Sequence, residues 1–182
     1  MNKKIRWITE TAILLALLIV LQTLTKPAGQ FVTGSCVNTV LAVAVLLGGV
    51  WCGVTIALIS PVLAFLLGIA PQILTVPAIM VGNTVFVLLL YVLAGKAGKN
   101  MGKKVAAWLV AAVAKFVTLY VIVAKVICGV LASSLMAAGT LKEPMLKALP
   151  ATFGWPQLVT ALIGGAIALT IVPVLRKALN RA

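Results

Sequence analysis

Hydrophobic and polar positions along this chain alternate on the scale of whole segments. A short basic head, Met1 to Arg6, runs into an apolar stretch from Trp7 to Leu24, about 18 residues and enough for a first span once its flanks are included. After the polar connection Thr25 to Ser35, the run from Cys36 to Ala70 carries almost no polar side chain. As one helix it would be about 52 Å long, too long for a hydrocarbon core of about 30 Å. Gly48 and Gly49 divide it into a second span, Val37 to Leu47 with a start as early as Val32, and a third, Val50 to Ile69, joined by a tight turn. Pro61 is expected to kink the third span. Pro71 and Gln72 break the chain, and a fourth span runs from Ile73 to Ala94, with Pro77 near its start and Asn83 near its middle. Gly95 to Lys104 reads as a loop of interleaved glycines and lysines.

The fifth apolar stretch, Ala106 to Ser134, is unusually long and holds Lys115 and Lys125. At 100° per residue, Lys115, Thr118, Ile122, Lys125, Gly129 and Ser133 fall within a sector of roughly 80° on one helix face. A lysine in the interior of a bilayer costs several kcal/mol unless a partner, water or the interface relieves it. Such a stripe therefore implies an interior cavity, a buried ion pair or a ligand of opposite charge. Met136 to Trp155 is the largest polar connection, where Thr140-Leu-Lys-Glu143 reads as the capping box of a short helix closed by Pro150. Pro156 starts the sixth span; its Gly164 and Gly165 predict close packing on a neighbour, and it ends in Arg176, Lys177 and Arg181.

Composition agrees with the segments: 63% of the 182 residues are hydrophobic and 9% charged, so the chain is an all-α integral membrane protein. The net charge of +13 would point a soluble domain toward nucleic acid. Here the charges lie mainly between apolar segments and act on orientation instead. With six spans and the N-terminus inside, Lys3, Lys4, Arg6, Lys96, Lys99, Lys103, Lys104, Arg176, Lys177 and Arg181 fall on the cytoplasmic side. Only Lys26, Lys142 and Lys147 fall outside. The expectation is one domain over residues 1–182, six helices and both termini cytoplasmic. Cys36, Cys52 and Cys128 lack metal-site spacing and read as packing residues, and the chain has no histidine. Neither a cofactor nor a metal is indicated.

Orientation assigns depth. Lys115 lies in the inner half, where Glu10, the one acid within a span, is a candidate partner, and Lys125 lies in the outer half. Asn38, Gln72, Trp155 and Gln157 gather in the outer half as well; Gln72 and Asn83, eleven residues apart, share a face within about 20°. One intramembrane carboxylate cannot neutralise two lysines, so the outer half is expected to be electropositive. The expected ligand is a small molecule with a carboxylate or comparable acceptor group, held by Lys125 with Asn83, Gln72, Trp155, Gln157 and Asn38 as further contacts. The bland alternatives are specific too: Lys115 snorkelling inward, Asn83 as helix-to-helix glue, Trp155 as an interfacial anchor and Gln157 as a helix-start residue.

The basic head running into Arg6-Trp7-Ile8-Thr9-Glu10-Thr11-Ala12-Ile13-Leu14-Leu15-Ala16, the segment Pro77-Ala-Ile-Met-Val-Gly-Asn83 and the six-helix plan together resemble an S component of an energy-coupling factor (ECF) transporter. The resemblance covers nearly the whole chain. It implies a membrane-embedded subunit that binds a vitamin or other micronutrient in the outer half, with a separate T protein and two ATPases driving uptake across a bacterial cell membrane. By the same resemblance, Ala12 and Ala16 would contact the T protein; as a small-xxx-small pair they also have the spacing that lets helices approach closely.

The chain carries no Walker motif, no catalytic acid pair and no histidine, so an enzymatic role, ATP hydrolysis included, is not expected. Two other classes compete with transport through a shared module. A small non-transport membrane scaffold would fill the fifth-span stripe with protein side chains. A stand-alone secondary carrier would be expected to show an acid at mid-membrane.

Overall fold

The computed structural model describes residues 3–69, 72–97 and 100–179. Helices account for nearly all of it, and no strand occurs among the described residues. Helix α1 spans Lys3–Thr25 and α2 spans Gln30–Gly48, with a 3-10 turn at Lys26–Ala28 between them. Helix α3 spans Val50–Leu66 and α4 spans Val76–Ala97, the latter preceded by a 3-10 turn at Ile73–Thr75. Helix α5 spans Met101–Tyr120 and passes into a π-helical segment, Val121–Val130. Helix α6 spans Ala132–Ala137, α7 spans Glu143–Phe153 and α8 spans Trp155–Ala178.

Five helical stretches are long and apolar enough to cross a membrane: 4–28, 30–48, 73–95, 101–130 and 143–178. The shorter α3 is apolar as well. Every apolar segment read from the sequence is therefore helical, in a membrane-type bundle. Gly49 makes the α2–α3 turn at φ 85°, a left-handed conformation that a residue with a Cβ adopts only under strain.

Four local expectations are corrected. The proposed capping box fails because α7 starts at Glu143 with Lys142 as its N-cap, so Thr140 lies two residues before the N-cap. Pro150 does not close α7, which continues through it to Phe153. Gln72 stands in extended conformation before the 3-10 turn, so helical periodicity cannot place it on the face of Asn83. The fifth stretch is not one regular helix; beyond Tyr120 its turns close i to i+5 and take more than 3.6 residues, which breaks the 100° count. The break proposed at Pro71 and the basic residues Lys99 and Arg181 lie outside the described residues.

The bundle is organised on α2, which packs most extensively on α8 and also meets α1, α3 and α4. The α4–α5 pair is the second large contact. Helices α2 and α8 run parallel: Gly34 faces Thr160, Gly164 faces Asn38, and the Arg176 guanidinium donates to the Leu46 carbonyl at 2.7 Å. The glycines of α8 act as the sequence leads one to expect. Gly164 accepts the α2 backbone, and Gly165 accepts the indole of Trp108, whose Nε1 donates to the Ala161 carbonyl at 3.2 Å.

Helix α1 is peripheral. Only 11% of its apolar window is buried, against 44% for α2, so most of its surface is left for lipid or a partner. At the end of the bundle where α1 and α3 finish, the Lys26 ammonium donates to the Gly68 carbonyl at 2.6 Å. The apolar interior has two parts. The larger is built on α2, α3, α4, α5 and α8 with Leu18 of α1, and the smaller joins Leu119, Val123 and Ile127 to Leu141, Leu149 and Phe153.

Candidate functional site

Four helices deliver polar side chains to one buried point. Asn38 of α2, Asn83 of α4, Lys115 of α5 and Thr160 of α8 are each no more than 2% exposed. The Lys115 Nζ donates to the Asn38 Oδ1 at 2.5 Å and to the Asn83 Oδ1 at 2.6 Å, and it lies 5.7 Å from the centroid of the Phe86 ring. The Asn38 Nδ2 donates to the Thr160 Oγ1 at 3.2 Å, and that hydroxyl donates to the Gln157 carbonyl at 3.2 Å. The Gln157 Nε2 in turn donates to the Thr152 carbonyl of α7 at 3.4 Å.

Local sequence explains each placement. Gly34 and Gly164 bring α2 and α8 close enough for the Asn38 amide to reach Thr160, because neither glycine interposes a Cβ. Gly82 admits Leu119 between α4 and α5, which sets Asn83 opposite Lys115 one helical turn earlier on α5. Asn38, Asn83 and Thr160 sit about 7 to 12 Å along their helices from the N-terminal ends of α2, α4 and α8. Lys115 sits about 21 Å from the start of α5. The cluster is thus deep in the bundle and nearer the end at which α2, α4 and α8 begin.

The chemistry is that of a buried cation solvated by dipoles. Two amide oxygens and a ring face surround the ammonium, and no carboxylate partners it among the described residues. Glu10 instead accepts from the Arg6 Nε at 2.8 Å, so the expected pairing of Lys115 with Glu10 is corrected, and so is inward snorkelling. The Asn83 Nδ2 is buried without a hydrogen-bond partner. The cluster therefore offers one net positive charge and one spare donor.

Of the residues expected at the site, Asn38, Asn83 and Gln157 come together, with Lys115 as their centre. Lys125 does not join them: in the π segment it is exposed, with its Nζ 5.7 Å from the Tyr120 ring centroid. Trp155 is exposed at the first position of α8, and half-buried Gln72 lies just before α4. These three belong to the same end of the bundle, outside the cluster. Ala12 and Ala16 are both exposed on α1.

Thr160 was not foreseen, although it lies one turn beyond Gln157 on a helix with few other polar residues. The expected depth of Lys115 is corrected too: instead of lying in the inner half, apart from Asn38 in the outer half, it stands at one level with Asn38 and Asn83. Beside the cluster, α7 packs on the π segment through Leu149 and Phe153.

The fold and the site define a helical membrane bundle with a buried lysine held by amides of two other helices. The family model described as ECF transporter, substrate-specific component, matches residues 6–176. The chain belongs to this family and is a substrate-specific component of an ECF transporter. No curated protein and no solved structure matches the chain.

Proposed function

We propose that this chain captures a small micronutrient, a vitamin or vitamin-like compound, from outside a bacterial cell. It then releases it inward when driven by a T protein and two ATPases, and takes no catalytic part itself. The observation that carries the substrate side is Lys115: a buried ammonium balanced only by amides, beside the unpaired Asn83 Nδ2, favours a ligand with a carboxylate or comparable acceptor. The ligand's acceptor would take the place of one asparagine oxygen on Lys115, and Asn38, Asn83 and Gln157 would complete the contacts.

Lys125, Gln72 and Trp155 would act earlier, at the mouth, where Lys125 adds to the attractive field. Entry requires α7 to move, because Leu149 and Phe153 pack over the π segment. This reading includes six membrane spans with both termini cytoplasmic, supported by the side on which the basic residues fall. It also includes the Ala12 and Ala16 patch as the T-protein contact, supported by its exposure on the least embedded helix.

A second reading draws on the same cluster. Asn38 and Asn83 already accept from Lys115, as protein side chains would in a non-transport scaffold.

The deciding experiment is extraction of small molecules from the purified chain and from Lys115→Met, each compared by mass spectrometry. One anionic or acceptor-rich compound should be enriched in stoichiometric amount with the unmodified chain and lost from the variant. Absence of any enriched compound would favour the scaffold, and a cationic compound would overturn the charge argument.

A further inference from the structure

A cavity lies at the opposite end of the bundle from Lys115, where α2, α4 and α8 finish and α5 begins. Its volume is about 840 Å³. The wall is apolar, formed by Val45, Leu46, Tyr91, Ala94, Leu169 and Val172. Three cations complete the lining, Lys104 of α5 with Arg176 and Lys177 of α8, and no acidic residue contributes to it.

The charges are available. Arg176 commits one Nη to the Leu46 carbonyl, while the ammonium groups of Lys104 and Lys177 have no partner among the described residues. Glu10 lies beside Gly48 at the neighbouring turn but is held by Arg6 and is not part of the lining.

An apolar wall with a cationic rim on a membrane bundle matches one kind of ligand, an amphiphile with an anionic head. A soluble phosphate would use the rim and waste the wall; a neutral lipid would do the reverse. We propose that this cavity is a binding site for an anionic phospholipid, whose phosphate is held by Lys104, Arg176 and Lys177 and whose acyl chains lie along Val45, Tyr91 and Val172. Each lysine or arginine near such a head group contributes roughly fivefold in affinity. The site is independent of the transported solute and stands whether or not Lys115 binds it.

The test is native mass spectrometry of the full chain released from micelles holding equal amounts of phosphatidylglycerol and phosphatidylcholine. The unmodified chain should retain one phosphatidylglycerol in at least tenfold preference to phosphatidylcholine. Lys104→Gln combined with Lys177→Gln leaves the Arg176 bond to Leu46 intact and should lower phosphatidylglycerol affinity roughly 30-fold. Gly95→Trp probes the wall without touching a charge, since a Cβ at Gly95 meets nothing within 4 Å; it should displace the lipid while the chain stays monodisperse. Glycerol 3-phosphate at the same concentration should leave the bound lipid in place. Equal retention of the two lipids, unchanged retention by either variant, or displacement by glycerol 3-phosphate would overturn the proposal, the last by assigning the cations to a soluble anion.

Discussion

Gly164 lies directly against the backbone around Asn38: a Cβ on Gly164 would come within 2.6 Å of the Asn38 Cβ and 2.7 Å of the Ser35 carbonyl oxygen. Backbone cannot step aside as a flexible side chain can. Gly164→Ala should therefore part α2 from α8 and destabilise the protein by about 1 to 3 kcal/mol. Gly95→Ala, into open space, should be neutral or slightly stabilising. Thermal unfolding in detergent, followed by tryptophan fluorescence, distinguishes the two; equal melting temperatures would mean that the seam relaxes.

The contact between Lys115 and Asn83 can be measured apart from any ligand. Lys115→Met and Asn83→Leu should each destabilise, and the double variant should lose less than their sum. The difference should be about 1.5 to 3 kcal/mol, the usual worth of a hydrogen bond to a charged group. Additivity within about 0.5 kcal/mol would show that the two residues do not act together.

For ligand binding, the two lysines of the fifth span should part company. Lys115→Met removes a charge-assisted contact in a dry site, and affinity should fall roughly 10- to 150-fold. Lys125→Met removes an exposed charge, which acts through a screened field, and affinity should change less than about threefold at physiological salt. Isothermal titration with the copurified compound reads both, and a reversed order would move the site outward to Lys125.

Six spans and the reading of the basic residues require opposite sides for two accessible positions. In a background free of Cys36, Cys52 and Cys128, a cysteine at Lys177 should react with an impermeant maleimide only after the membrane is opened, and one at Lys142 should react in intact cells. Labelling of position 177 in intact cells would sink the orientation.

Ala12 and Ala16 are exposed on a helix that contributes little to the interior. Replacing both by Trp should abolish uptake in cells that supply the energising module and leave binding by the isolated chain within about twofold, because partner helices in lipid meet through small residues. Equal loss of binding would make the pair internal packing.

The span pattern was legible because lipid imposes it: a helix crossing a bilayer must be long and apolar, and Gly48 with Gly49 could only be a turn in a run too long for one span. The two glycines of α8 declared their packing for the same reason. Lys125 shows where sequence reading stops. The assignment of Lys125 to the face of Lys115 assumed 100° per residue, and the π segment from Val121 removes that premise without any marker in residue type. Composition also could not say that Lys115 would find two amide oxygens instead of Glu10. Depth restricts the candidates, but only packing decides which helix face meets which. Thr140 and Pro150 failed through weak local rules, since Pro144 in the first turn lets α7 start at Glu143 and tertiary packing carries it through Pro150.

The parallel pairing of α2 with α8 has a consequence for the order of synthesis. The second helix to leave the ribosome finds its main partner in the last one. Until the segment from Trp155 to Gly165 has entered the membrane, the Asn38 amide has no Thr160 to donate to, and the groove that Gly164 will occupy stands open to lipid. A nascent chain stalled before Trp155 thus holds the Asn38 oxygen on Lys115 but leaves the Asn38 amide N–H without its acceptor.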